Sequence, residues 1–182
     1  MEYQNNFTSS SNPFKDFLSK IKQLLKPEGK LIIAIENKYG LKYWCGAPED
    51  HSGIPYDGIN NYIYSNIART FSKKQLERLV KSVGFSNTYF YYPLPDYKMP
   101  QVVYSEEYLP KNGSIDNWIP YYEPNGNSMI SDEEHIYGDL VDNDVFEFFA
   151  NSFMVECCAG NEDIGEIQYA CLLYTSDAAD EL

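Results

Sequence analysis

Basic residues are scarce in this sequence. Its 182 residues include 14 Lys and Arg against 27 Asp and Glu, which gives a formal net charge of -13 at pH 7. A surface that binds nucleic acid or an anionic membrane needs clustered positive charge. The composition therefore argues against nucleic acid as a partner, and we expect none.

Long apolar runs and a disulfide framework are also missing. No apolar run approaches the ~20 residues that a membrane-spanning helix needs, and no signal peptide opens the chain. The four cysteines, Cys45, Cys157, Cys158 and Cys171, do not form a disulfide framework. We therefore expect no membrane span and a reduced, cytoplasmic setting.

Glycine-rich phosphate loops and metal-ligand spacings are absent from the sequence as well. Neither the G-x-G-x-x-G pattern nor a P-loop occurs. The chain has two histidines, and Cys45 lies far in sequence from the adjacent Cys157 and Cys158, so no zinc-ligand spacing is present. We expect no metal ion.

One continuous apolar run stands out at residues 31–35, directly before Glu36 and Asn37. A run without alternation is typical of a strand that is buried on both faces in a parallel sheet covered by helices. In such sheets ligands bind just beyond the carboxyl ends of the strands. We therefore predict that Glu36 and Asn37 bind substrate, and the alternative is a capping role at the turn between strand and loop.

Helix and strand signals surround this run. Asn12 and Pro13 begin a helical pattern, and Ser72 with Gln75 forms a capping box for a second helix. The β-prone residues 88–92 and 101–105 follow without an intervening helix, so we expect them to pair antiparallel. Residues 143–156 are rich in apolar groups, and their pattern fits either a helix or a strand.

The segment after the apolar run, residues 38–64, has no regular period and mixes glycine, aromatic and charged residues. Long irregular loops of this kind are typical of binding lids. Within it, Glu49, Asp50 and His51 are the best candidates for acid–base catalysis, because histidine transfers protons near neutral pH and a neighbouring carboxylate increases its basicity. The alternative is a surface loop with three polar neighbours.

Several of these segments together resemble a known family. Residues 24–37, L-L-K-P-E-G-K-L-I-I-A-I-E-N, resemble the segment before and through the fifth strand of class I methyltransferases that use S-adenosyl-L-methionine (SAM). Residues 69–85 resemble the next helix of those enzymes, and the aromatic strand pair resembles their terminal antiparallel hairpin. More narrowly, N-K-Y-G-L-K-Y at 37–43 and G-A-P-E-D-H at 46–51 resemble a bacterial subgroup found with cell-surface polysaccharide or glycosyltransferase proteins.

The resemblance implies an α/β fold, namely part of a Rossmann-like methyltransferase sheet that ends in an antiparallel hairpin. It covers residues 1–110 as the carboxy-terminal half of the domain, and residues 111–170 are expected to form an appended α+β region. Residues 171–182 resemble the translation of a transposase sequencing adapter and are left out of the fold reasoning. The glycine-rich SAM loop is expected in sequence that precedes residue 1.

The resemblance also implies roles for individual residues. Glu2 and Tyr3 are expected at the end of the fourth strand, beside the SAM cofactor. The lid is expected to face the methyl acceptor, with the catalytic and substrate-binding roles assigned to two sets of residues. The catalytic set is Glu49, Asp50 and His51, and the substrate-binding set is Glu36, Asn37, Tyr39, Tyr43 and Trp44.

The function that follows is methyl transfer from SAM to a small molecule, with a sugar or glycan precursor as the expected acceptor and glycosyltransferase domains as expected partners. We expect the 182-residue chain to be inactive alone. One alternative is another Rossmann-type enzyme that uses a nicotinamide or a sugar nucleotide. Another is a non-catalytic carbohydrate- or protein-binding module, which the aromatic content of 16% suggests.

Overall fold

The computed structural model describes residues 10–65, 68–115, 130–160, 164–165 and 170–171. These residues form a mixed α/β structure with five strands, five α-helices and one 3-10 turn. In chain order they are α1 (Pro13–Leu24), β1 (Leu31–Glu36), α2 (Leu41–Trp44), α3 (Lys73–Ser82), β2 (Asn87–Leu94), β3 (Val102–Ser105), the 3-10 turn (Glu133–His135), α4 (Tyr137–Asp142), α5 (Phe146–Phe149), β4 (Ser152–Cys158) and β5 (Ala170–Cys171). Among the described residues, no helix has both the length and the apolar character to cross a membrane.

The five strands form one sheet in the order β1-β4-β2-β3-β5, and every neighbouring pair is antiparallel. Strand β4 lies between β1 and β2: Glu36 pairs with Ser152, and Tyr91 pairs with Met154. Because β1 and β2 both run opposite to β4, they run parallel to each other. The chain passes from β1 to β2 through α3, so the pair forms a parallel crossover with a reversed strand between its members.

The prediction that β1 is buried on both faces in a parallel sheet is wrong for the described residues. Among the described residues the only neighbour of β1 is the antiparallel β4. Buried and exposed side chains alternate along β1. Ile33 and Ile35 are buried, whereas Ile32 is 53% exposed and Ala34 is exposed. An apolar run fixes which residues can be buried, but it does not show how many faces of a strand are covered.

The predicted antiparallel pairing after α3 is confirmed by β2 and β3, where Tyr91 pairs with Ser105 and Leu94 pairs with Val102. The expectation of an appended region at 111–170 is corrected in one respect. Strand β4 comes from that segment, yet it lies inside the sheet and pairs on both sides with strands of residues 1–110. Cys171, the first residue of the adapter-like tail, belongs to β5 and pairs with Val102 of β3. Residues 172–182 lie outside the described residues.

The core covers one face of the sheet. Ile33, Val155 and Phe90 are register partners across β1, β4 and β2, so their side chains share a face. Leu18 of α1 and Leu76 of α3 belong to the same buried cluster. The opposite, less covered face carries the exposed Ile32, and the polar Glu36 lies at the end of the same row of β1 residues.

The local helix signals are confirmed in α3 and partly in α1. The Ser72 hydroxyl accepts from the Gln75 N–H, and the Gln75 side chain accepts from the Ser72 N–H at 3.1 Å, which is the predicted capping box. Pro13 begins α1 as predicted, but the Asn12 side chain makes no capping hydrogen bond.

Candidate functional site

Polar side chains converge at the carboxyl end of β1. Strand β2 runs parallel to β1, so the residues that follow Leu94 reach the same edge of the sheet. The loop after β1 folds back over this edge. We call the resulting group the strand-end cluster, and its members are Glu36, Lys42, Asp50, His51, Asp96 and Lys98.

Glu36 is the buried centre of this cluster, with a solvent exposure of 0%. Its Oε1 accepts a charge-assisted hydrogen bond from the Lys98 ammonium and a second bond from the Tyr97 hydroxyl at 3.3 Å. Its Oε2 lies 3.8 Å from His51 Nε2. Burial raises the pKa of Glu36, but Lys98 outweighs burial and the pKa is lowered overall. Glu36 is therefore a carboxylate that faces an imidazole.

Lys42 forms the second ion pair of the cluster. Its side chain is 5% exposed, and its ammonium lies 2.9 Å from Asp50 Oδ2 and 3.5 Å from Asp96 Oδ2. The Tyr43 hydroxyl also donates to Asp50. Burial raises the pKa of Asp50, but Lys42 and then Tyr43 outweigh it, so the pKa is lowered overall.

The hydroxyl of Tyr43 is held in its protonated form. Burial and the neighbouring Asp50 carboxylate raise its pKa well above the usual value. Tyr43 is therefore a hydrogen-bond donor to Asp50 rather than a proton acceptor. The residue is 3% exposed, so its ring is covered and its contribution to the site comes through Asp50.

Glu49, the third predicted catalytic residue, is occupied with holding the loop. Its Oε2 accepts from the backbone N–H groups of His51 at 2.9 Å and Ser52 at 2.7 Å. Its Oε1 accepts from the Tyr62 hydroxyl at 3.3 Å. These bonds fix the turn that presents Asp50 and His51, so the geometry makes Glu49 a positioning residue for these two side chains.

Asn37 is likewise occupied by the backbone. Its Nδ2 donates to the carbonyl oxygens of Phe148 and Ala150, at 2.8 Å each, and its Oδ1 accepts from the Tyr39 N–H at 3.0 Å. The residue is 1% exposed. These contacts match the capping alternative for Asn37 and join the end of β1 to the segment before β4.

Tyr39 and Trp44 lie in an aromatic surface patch and not in the strand-end cluster. The Tyr39 ring stacks on Phe148 at a centroid distance of 5.1 Å, and Trp44 packs edge-on against Phe149 at 6.3 Å. The Trp44 indole N–H donates to the Tyr39 carbonyl at 3.2 Å, and Trp44 is 41% exposed.

The predicted cofactor residues Glu2 and Tyr3 lie outside the described residues.

Sequence reasoning missed three members of the cluster: Lys42, Asp96 and Lys98. The signal for Asp96 was present, because the rule that selects polar residues after β1 also selects the residues after β2. Lys42 had no such signal, since a lysine in an irregular loop is usually exposed. Its burial depends on two carboxylates that are 8 and 54 residues away in sequence.

A further buried carboxyl, Glu133, adjoins the cluster through Asn151. Its Oε2 accepts from Asn151 Nδ2 at 2.8 Å, and Asn151 Oδ1 accepts from the Lys42 backbone N–H at 3.0 Å. Among the described residues, Oε1 of Glu133 has no hydrogen-bond partner. Glu133 is 1% exposed, and burial raises its pKa to about 7.

This carboxyl should make the fold less stable as the pH rises from about 4.5 to about 7. The folded protein keeps the proton in a range where the unfolded chain has lost it, so stability is highest below the unfolded pKa and is lost as the pH passes the folded pKa. The full effect is about 3 kcal/mol. We expect Glu133→Gln to raise the free energy of unfolding at pH 8 by about 1–3 kcal/mol and to flatten the pH dependence.

Urea unfolding of both proteins between pH 5 and pH 8 measures this effect. Glu134→Gln is the matched control, because Glu134 is the next residue and is half-buried. We expect the control to keep the wild-type pH dependence. An identical pH dependence in wild type and Glu133→Gln would show that Glu133 does not retain its proton in the fold.

The strand-end cluster thus contains an imidazole beside a carboxylate, two ammonium groups and two further carboxylates. Such an arrangement can accept a proton, hold polar groups of a ligand and stabilise a cation. Among the described residues, the one group whose side chains could jointly ligate a metal is Asp132, Glu134 and His135, on an exposed turn outside the cluster.

No protein-family model, curated protein or solved structure matches the chain.

Proposed function

We propose that this chain forms the acceptor side of a class I SAM-dependent methyltransferase with a Rossmann-like sheet, and that the acceptor is a hydroxyl of a sugar or glycan precursor. The observation that carries the proposal is the approach of His51 Nε2 to the buried Glu36 carboxylate, at 3.8 Å, at the carboxyl end of β1. A hydroxyl must lose its proton when its oxygen is methylated, so a base at this place is required.

In the proposed reaction His51 removes the proton of the acceptor hydroxyl at Nδ1, because its Nε2 is buried against the Glu36 carboxylate. Glu36 then stabilises the imidazolium that forms, as a carboxylate does for a catalytic histidine. Lys98 and Tyr97 hold Glu36 in place through its other oxygen. When bound, SAM supplies the methyl group from its sulfonium centre.

The charge of the strand-end cluster suits a cationic donor. It contains three carboxylates, of Glu36, Asp50 and Asp96, and two ammonium groups, of Lys42 and Lys98. These five charged groups together carry one excess negative charge. A sulfonium cation is favoured near such a group, and an anionic donor such as a nicotinamide or sugar nucleotide is disfavoured.

The exposed side of the cluster suits a sugar. The side chains of Lys98 and Asp50 are 36% and 25% exposed, and their charged atoms lie 3.8 Å apart. They offer a donor and an acceptor side by side, which is the pattern that binds neighbouring hydroxyls. An apolar ring face is offered by Tyr39 and Trp44, which belong to the same loop as Asp50, together with Phe148 of α5.

The α/β topology supports the same proposal. β1 and β2 are parallel, and α3 connects them. In sheets with this crossover, ligands bind where the strands end. The alternative of a non-catalytic aromatic binding module is weaker, because one of the aromatic side chains that it requires, Tyr43, is buried against Asp50.

Product analysis tests the proposal. SAM with a deuterated methyl group is incubated with mixtures of sugars and glycan precursors, and mass spectrometry locates the label. The protein is assayed as the 182-residue chain and also with any residues encoded before Met1, because the 182 residues contain no glycine-rich loop for the donor. We expect the label on a sugar oxygen with the extended protein. Label on a nitrogen or sulfur acceptor would contradict the hydroxyl chemistry.

A further inference from the structure

Three cations line one cavity of this acidic protein. The cavity has a volume of about 250 Å³ and is lined by Lys38, Arg69 and Arg78. The other lining residues are neutral, namely Asn61, Tyr62, Thr70, Phe71 and Gln75. No carboxylate of the described residues lines it, although the chain as a whole has a net charge of -13. The cavity is therefore a local reversal of the overall charge.

None of the three cations is paired with an acid in the described part of the chain. Lys38, Arg69 and Arg78 have no Asp or Glu oxygen within the 4.0 Å limit of an ion pair there. The Arg69 guanidinium lies over the Tyr62 ring, 5.8 Å from its centroid. Other lysines of the fold, such as Lys42 and Lys73, do have carboxylate partners.

Lys38 is the most informative member of the three. It is 3% exposed, and among the described residues its ammonium donates only to the neutral Asn61 Oδ1. An ammonium has three donors, so two of them are not used. Burial and the nearby Arg69 both lower the pKa of Lys38. A buried cation is costly unless it is paired, and here the neighbour is a second cation.

We propose that this cavity binds a phosphate or diphosphate group of a small molecule. An anion would neutralise the three charges and use the free donors. Arginine forks bind phosphate oxygens in pairs, and a lysine adds a compact charge. The Gln75 side chain uses its oxygen in the α3 capping box, so its NH₂ group is a further donor at the rim of the cavity.

The volume of the cavity fits this class of ligand. Whole-ligand sites are typically about 300–1,000 Å³, so a cavity of about 250 Å³ suits a phosphoryl group rather than a whole cofactor. The loop at its rim is also specialised. Asn61 and Tyr62 have positive φ values of 62° and 59°, a conformation that costs free energy in non-glycine residues and concentrates at functional sites.

Calorimetric titration tests the proposal in the absence of SAM, so its outcome does not depend on the methyltransferase assignment. Inorganic diphosphate and, separately, inorganic phosphate are titrated into the 182-residue chain at low ionic strength, with sodium chloride as the injected control salt. The variants are Arg69→Gln, Arg78→Gln and the double variant. Lys81→Gln is the matched control, because Lys81 is an exposed cation of α3 that does not line the cavity.

We expect one diphosphate per chain, with an affinity that falls as sodium chloride is added. Each arginine variant should weaken binding at least about tenfold, because a hydrogen bond to a charged group is lost, and Lys81→Gln should bind like the wild type. Circular dichroism confirms that the variants are folded. Absence of binding to the wild type, or equal binding to the double variant, would overturn the proposal.

Discussion

Lys42→Met should lower the free energy of unfolding by about 3–5 kcal/mol, since removal of one partner of a buried ion pair leaves the other charge uncompensated. Lys42 is buried, and so is Asp96, which is 1% exposed. The Asp50 side chain is 25% exposed and keeps the Tyr43 hydrogen bond, so most of the cost arises at Asp96. Methionine fills much of the volume of the lysine, so the loss of charge and not the loss of packing dominates.

Urea unfolding measures this loss, and Lys74→Met is its matched control. Lys74 also pairs with a carboxylate, Glu77, at 3.1 Å, but its side chain is 74% exposed. An exposed pair of this kind contributes less than about 1 kcal/mol. We expect a partial recovery when Lys42→Met is combined with Asp96→Asn, because the uncompensated carboxylate is then removed. Equal losses for the two lysine variants would contradict the burial of this ion pair.

His51→Gln should lower the rate of methyl transfer by about 10²–10⁴-fold, which is the usual contribution of a positioned general base. Glutamine keeps a polar side chain of similar length but does not accept a proton at neutral pH. The affinity for SAM should stay close to that of the wild type, since His51 is proposed to act on the acceptor. The loss should appear in kcat and not in the binding of the donor.

Steady-state kinetics of the active protein, with labelled SAM, measure this effect. His135→Gln is the control, because its imidazole is 78% exposed and lies outside the strand-end cluster. Glu36→Gln should reduce kcat in the same direction, as it removes the charge that stabilises the imidazolium. An unchanged kcat in His51→Gln would refute a role for His51 as the base and leave the acceptor chemistry to another residue.

Local signals in the sequence predicted the local structure well. The Ser72–Gln75 capping box depends on residues three apart, and α3 begins there. The hairpin of β2 and β3 joins neighbouring segments. Both features are set by short-range interactions, which a single sequence reports directly.

Long-range pairing was beyond the reach of the sequence. Strand β4 inserts between β1 and β2 from more than 50 residues away. Nothing in the pattern of residues 152–158 selects these two partners, because any apolar strand satisfies the same hydrophobic requirement. The burial of Lys42 was missed for the same reason, since its second carboxylate partner, Asp96, lies in the segment just after β2, 54 residues away in sequence.

The prediction of site residues was limited in a similar way. Position after a strand identified Glu36, and the loop composition identified Asp50 and His51, which the fold brings together. The same reasoning could not separate Glu36 from Asn37. Their difference lies in their partners, because Asn37 meets backbone carbonyls and Glu36 meets the side chains of Lys98 and His51.

Calorimetric titration of SAM is the direct test of whether this protein is a SAM-dependent methyltransferase. The titration is made into the 182-residue chain and into the protein extended by any residues encoded before Met1, without the adapter-like residues 171–182. We expect one SAM to bind per extended protein and this binding to be lost in the 182-residue chain. No binding to a folded extended protein would contradict the methyltransferase assignment.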